Sequence, residues 1–377
     1  MRYKILFKYK GNGIALNSRN QVLFSRTEYG TDRKTTYFLA TGKKEVSLPV
    51  GFVPKLLSDR GEIIGLRADK LVAYKEGQFQ ELGSGEVYDC NCDGLVVGST
   101  VKDGKTFPCL WDSEGIKWIG ENPGVATAIN DHGDMVIVET DDFCEYCYDE
   151  EYPFEVVTPT SRSYCIVDNE WIPLLGLDGQ TSRVKAMDID NDRRIVGYSL
   201  HSSPHIEALF GSEYGIPYFG GAAGHKPILW TDFVPREVKQ PKYSIGATAD
   251  RLGPDDTILG SFAEGAGDLP TCLYLEYEDN VFWARGDDSQ CLDSVIWDTY
   301  YLSSIHGVNE SGHLLASNPS CQELVLFWEN HSSEQDYKDW ERGIKAFISN
   351  GNASESMAAK IDDKTIGFWS SLRRKRN

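Results

Sequence analysis

One turn signature recurs along this chain and constrains its fold more than any other feature. An apolar stretch leads into Asn/Asp/Ser-x-x-Gly, and a second apolar stretch follows, often ending in Gly. The clearest copies are Ala128-Ile129-Asn130-Asp131-His132-Gly133-Asp134-Met135-Val136 and Gly307-Val308-Asn309-Glu310-Ser311-Gly312-His313-Leu314-Leu315. Two more run from Leu56 to Gly65 and from Asn91 to Gly98. Weaker copies begin at Asn17, with Asn20 in the Gly place, and at Asp190, with Arg193 there. Another, beginning at Asp250, is stretched by insertion and ends Ile258-Leu259-Gly260. A type I turn favours Asn, Asp or Ser first, where the short side chain bonds the backbone, and Gly fourth. Between apolar strands such a turn closes a β-hairpin.

A second pair of strands is expected after each hairpin. The third strand recurs as Tyr37-Phe38-Leu39, Val72-Ala73-Tyr74, Cys109-Leu110-Trp111, Tyr164-Cys165-Ile166, Ile228-Leu229-Trp230, Cys272-Leu273-Tyr274 and Leu326-Phe327-Trp328. A fourth follows as Ile116–Ile119, Trp171–Leu174 and Val281–Trp283. Four short strands per unit, repeated about seven times, predict an all-β chain: a β-propeller of about seven four-stranded blades, with six or eight as alternatives. The apolar residues alternate at period two, which argues against helical repeats of similar length. A half copy, Ala359–Gly367, is expected to pair with the strand around Lys4–Phe7 and seal the ring, removing exposed edges.

The units resemble the HAF family of bacterial propeller-like repeats, whose pattern runs A-x-x-I-N-x-x-G-x-V-V-G and then A-x-L-W. Ala126-Thr127-Ala128-Ile129-Asn130 with Gly133 carries the first half, and Cys109-Leu110-Trp111 or Ile228-Leu229-Trp230 the second. The resemblance covers nearly the whole chain. It implies the fold and supplies no catalytic residues.

Composition narrows the function. A net charge of −19 and a pI near 4.8 oppose nucleic-acid binding, which needs clustered Lys and Arg. No apolar run reaches the length of a signal peptide or a membrane span, and nine cysteines at scattered spacings suit a reducing compartment. The expectation is a cytoplasmic, single-domain protein over residues 1–377, with a basic tail at 370–377 that stays disordered.

Most motif-like groupings dissolve into the repeat. Asp188-x-Asp190-x-Asp192 has the start of a calcium loop but Arg193 and Ser199 where Gly and Glu belong. Asp103-Gly104-Lys105-Thr106 reads as a hairpin turn, without the spacing of a phosphate loop. Cys144 and Cys147 have zinc-knuckle spacing but no second pair, and remain weak metal candidates. No Gly-x-Ser-x-Gly or His-Glu-x-x-His occurs, and no motif asks for a cofactor.

Two insertions, 141–163 and 202–226, stand outside the repeat. The second carries Phe210, Tyr214, Tyr218, Phe219 and His225 among glycines, the composition of a binding loop. The leading expectation is a non-catalytic scaffold that binds a protein partner through loops at one end of the ring. One alternative is a glycan-active hydrolase or lyase, marked by two carboxylates of raised pKa in the channel. Another is an effector-type protein acting in a second cell.

Overall fold

The computed structural model describes residues 7–28, 33–147, 156–200, 225–241, 244–254, 256–264, 280–285, 288–291, 304–309, 311–318 and 323–324. The chain divides into two compact units, Met1–Lys4 with Glu329–Asn377, and Ile5–Trp328. All described residues belong to the second.

Its strands form seven antiparallel four-stranded sheets among the described residues. After β1 (Tyr9–Lys10), sheet 1 is β2 to β5: Asn12–Leu16, Gln21–Glu28, Lys34–Thr41 and Lys44–Ser47. Sheet 2 is β6 to β9: Phe52–Leu57, Ile63–Arg67, Lys70–Lys75 and Gln78–Gly83. Sheet 3 is β10 to β13: Glu86–Cys90, Val96–Lys102, Lys105–Asp112 and Gly115–Trp118. Sheet 4 is β14 to β17: Gly124–Ile129, Met135–Cys147, Val156–Val167 and Glu170–Leu174. Sheet 5 is β18 to β21: Val184–Ile189, Ile195–Leu200, His225–Thr231 and Val234–Glu237. Sheet 6 is β22 to β25: Ser244–Leu252, Thr257–Glu264, Asn280–Arg285 and Asp288–Cys291. Sheet 7 combines β26 (Ser304–Val308), β27 (Leu314–Asn318) and β28 (Glu323–Leu324) with β1, which takes the outer place.

Burial follows strand position. The second strand of sheet 1 buries Val22, Leu23 and Phe24 in succession, because both of its faces are covered by neighbouring sheets. The fourth, Lys44–Ser47, is exposed throughout. Small cores lie between successive sheets. Leu23, Phe52, Leu57, Ile63 and Val72 fill the first gap, and Val196, Leu229, Ala247, Ala249 and Ile258 the gap between sheets 5 and 6. The fully buried Trp111 and Trp230 are the largest members of these cores.

Every first strand carries a β-bulge at the same place, between Gly13/Ala15, Pro54/Leu56, Val87/Asp89, Ala126/Ala128, Ala186/Asp188, Ala249/Arg251 and Ile305/Gly307. A bulge sharpens the local twist and brings backbone close to the next strand. This explains the glycine in Val96-Val97-Gly98: a Cβ there would lie 2.0 Å from the Glu86 carbonyl oxygen. Gly65 and Gly197 meet the same obstacle.

The repeat turns behave as their chemistry predicts and also join the sheets. Asn130 Oδ1 accepts from the His132 and Asp134 amides, while its Nδ2 donates to Asp190 O in the next turn at 3.0 Å. Asn17 reaches Ser58 O and Asn91 reaches Asn130 O in the same way. Ser58 and Asp190 have no side-chain amide to donate. There Arg60 bonds Asp93 at 2.9 Å, and Arg194 pairs with Asp256. Asn309 Nδ2 donates to Asn17 O at 3.0 Å and so closes the belt.

Two assignments, one strand and one turn, need correction. Val281–Trp283 lies in the third strand of sheet 6 rather than the fourth. The sixth turn runs from Gly253 to Thr257, with Asp250 still in the strand before it. Tyr9–Lys10 pairs with Glu323–Leu324, while the expected pairing of Lys4–Phe7 with Ala359–Gly367 involves residues outside those described. Cys272–Tyr274, Leu326–Trp328, Ala359–Gly367 and the tail at 370–377 lie outside the described residues.

Candidate functional site

The strand order fixes two ends for the ring. First-to-second turns form the belt at one end, so second-to-third connections leave every sheet at the other. In sheets 2 and 3 these connections are tight, Arg67 to Lys70 and Lys102 to Lys105. In sheets 4, 5 and 6 they are long: Cys147 to Val156, Leu200 to His225 and Glu264 to Asn280. Both insertions singled out in the sequence therefore belong to this loop face. The first continues its sheet as a ribbon, with Cys144 opposite Pro159 and Cys147 opposite Val156 on extended strands. Phe210, Tyr214, Tyr218 and Phe219 lie outside the described residues. Among the described residues no group of three or more His, Cys, Asp or Glu is placed to hold a metal ion.

His225 begins β20 opposite Leu200 and stacks on Tyr198, with ring centroids 4.4 Å apart and planes 27° apart. Tyr198 is paired directly with Lys185 of β18, so the three side chains share the sheet face that looks toward sheet 6. Burial pushes the His225 imidazole down to about 4, and the Lys185 charge adds to this. Burial also raises the Tyr198 phenol to about 12, with the Asp250 carboxylate contributing. At neutral pH the group is a neutral imidazole, a neutral phenol and one ammonium. The His225 Nδ1 is buried without a hydrogen-bond partner.

A second group sits at the bulges of the first strands. Asp89 Oδ1 accepts from the Cys90 amide at 2.8 Å, and its Oδ2 from Ile129 of the next sheet at 2.9 Å. Asp188 repeats this with Ile189 at 3.0 Å and Leu252 at 2.8 Å. Burial is the main force raising Asp89, to about 7, and the nearby negative charge of Asp188 adds to it. Asp188 is also raised by burial, while Arg251 pulls both acids back. Burial wins over the backbone donors, although those donors favour the charged form.

Both acids are raised and both lie on first strands, which is part of what the enzyme alternative asks for. Their oxygens, however, are already spent on main-chain N–H groups that tie one sheet to the next. Each acid is first a staple between neighbouring sheets. Sequence reading missed the pair because the equivalent position holds Ala15, Leu56, Ala128, Arg251 and Gly307 in the other sheets.

No family model matches the chain, and no curated protein does. Among solved structures, the β-propeller domain of the Trilobed protease from Pyrococcus furiosus, described as having an open velcro topology, aligns over 86% of this chain and 95% of that one. The TM-score is 0.54 at 12% identity. The fold is a β-propeller. Its sheets are the blades, and the first strands are the inner ones. A puromycin hydrolase structure aligns at TM-score 0.34 and 10% identity, over 82% of this chain and 58% of that one. At 12% identity the likeness to the protease domain concerns fold alone. No helix among the described residues is long and apolar enough to cross a membrane.

Proposed function

We propose that this propeller is a protein-binding scaffold whose partner docks on the loop face. The observation that carries the reading is the asymmetry between the two ends. At the belt end, donors and acceptors of successive turns are spent on one another. At the loop end, three consecutive blades carry long connections, and one of them holds the aromatic and glycine-rich stretch around Tyr214–Gly221. Tyr and Phe on such loops give contact area at low entropic cost, and insertions gathered on one face are a common binding device in repeat proteins. Alanine at Tyr214, Tyr218 and Phe219 together is expected to abolish partner capture by the full chain while leaving Tm nearly unchanged. An unchanged set of captured proteins refutes the reading.

The raised pair Asp89 and Asp188 supports one rival, glycan hydrolysis or elimination at the channel. Asp89→Asn and Asp188→Asn separate the two. A glycan-active enzyme loses turnover in both variants, whereas a scaffold keeps its partner and changes only in stability.

A further inference from the structure

We propose that Lys185, Tyr198 and His225 form a carboxylate-binding site that takes an acidic group of a peptide laid on the loop face. The inference rests on the docking reading for the source of that carboxylate, and on the geometry of the three side chains for its chemistry.

Partly buried polar groups in a folded protein normally find partners. Some lysines of these blades reach carboxylates, as Lys70 does with Glu81, Lys117 with Asp112 and Lys226 with Glu237. Lys185, by contrast, is only partly exposed, and its ammonium makes no ion pair or hydrogen bond among the described residues. The Tyr198 hydroxyl makes none there either, and the His225 Nδ1 is buried without one. Three unspent polar groups therefore meet on one blade face, where the connection from Leu200 to His225 leaves the sheet.

The missing partner can be read from the donors. An unbonded buried N–H is costlier than an unbonded lone pair, so the His225 proton belongs on Nε2 and leaves Nδ1 bare. Lys185, Tyr198 and His225 Nε2 then each offer a donor, with a single positive charge between them. That set matches a monoanion with two acceptor oxygens. A phosphate dianion would be left under-neutralised, and the Asp250 carboxylate near Tyr198 opposes a second negative charge.

The test follows the His225 ring by NMR in the full-length protein. Sodium formate, an acetylated peptide ending in a free carboxylate, and its amide are each titrated at fixed ionic strength. Formate and the acid peptide are expected to shift the His225 resonances saturably, and to raise its titration midpoint by about one unit, as a nearby negative charge does. The amide should do neither. Lys185→Met should abolish saturation, and Tyr198→Phe should weaken binding several-fold while the ring signal persists. No saturable response in the wild type, or an equal response in Lys185→Met, overturns the site. A response to formate without one to the acid peptide overturns the peptide source. Formate binding that survives while the Tyr214, Tyr218 and Phe219 variant keeps its partners refutes the docking reading alone. A silent His225 in a protein that loses its partners through that variant refutes the site alone.

Discussion

Asn309 donates from Nδ2 to the main-chain oxygen of Asn17 at 3.0 Å, joining turns 292 residues apart in sequence. The same amide also reaches Asn20 Oδ1 at 2.8 Å, while Oδ1 holds its own turn through Ser311 and His313. Asn309→Ser, which imitates Ser58, is expected to keep the turn and lose the link. Two hydrogen bonds at this site are worth about 1–2 kcal/mol. Urea unfolding midpoints measure the change, and Asn309→Ala should cost more because the turn also loses its cap. A neutral Asn309→Ser would show that the link contributes nothing to closure.

The pH dependence of stability should carry the mark of Asp89. Its carboxyl rises from an ordinary 3.8 to about 7, so between those values the folded protein holds a proton that the unfolded chain has released. The contribution is full below about 4 and is lost as pH rises through about 7. One proton bounds the slope at about 1.4 kcal/mol per pH unit. Asp188 shifts in the same direction, whereas Asp131, held low by its Cys92 and Asn191 partners against the cost of burial, works the other way. The stability difference between wild type and Asp89→Asn should therefore fall from pH 4 to 7. A flat difference would mean that Asp89 titrates normally.

Gly98→Ala should be among the most damaging small substitutions in the protein. The added Cβ meets main chain at 2.0 Å and cannot be relieved by a rotamer change. A cost of about 3 kcal/mol or more is expected. Gly51→Ala is the control: its φ of +78° disfavours a side chain, but nothing lies within 4 Å. It should cost about 1–2 kcal/mol. Comparable Tm losses in the two variants would refute the steric account of the bulge.

Arg193 holds a φ of +59° in the Gly place of its turn and bonds the buried Asp134 at 2.8 Å. Arg193→Gly relieves the backbone by about 1 kcal/mol but removes the cation beside a carboxylate whose side chain is 4% exposed. Because Arg193 is itself largely solvated, the loss is smaller than for a fully buried pair, though it still exceeds the relief. Net destabilisation is expected, and it should shrink in an Asp134→Asn background. Greater stability in Arg193→Gly would reverse the ranking.

Much of the fold was readable from the turn chemistry. The Asn, Asp or Ser that caps a turn is local, so Asn17, Ser58, Asn91, Asn130, Asp190 and Asn309 mark six of the seven turns. The seventh was misplaced at Asp250 because Gly253 fills the capping place and bonds only through its main chain. Val281–Trp283 was misassigned because Cys272–Tyr274, within the long stretch between Glu264 and Asn280, carries the same apolar pattern in sequence. The inter-blade use of the Asn amide left no trace in the sequence, since the same residue type already satisfies the turn. Lys185 and Tyr198 were invisible as a pair, because only the register beyond the bulge sets them opposite each other. Of the proposed binding residues, His225 alone falls where its surroundings can be described.

The outer place of the last sheet belongs to Tyr9–Lys10, which bonds Glu323–Leu324. On the ribosome this strand emerges well before its partner, which is synthesised roughly 300 residues later, a wait of about 15–60 s at ordinary elongation rates. Each earlier sheet can form soon after its own four strands appear. The last cannot, so ring closure is a late event that depends on a segment made before any of the other strands. Deleting that segment should leave nascent blades able to form while delaying or preventing the compact, protease-resistant state.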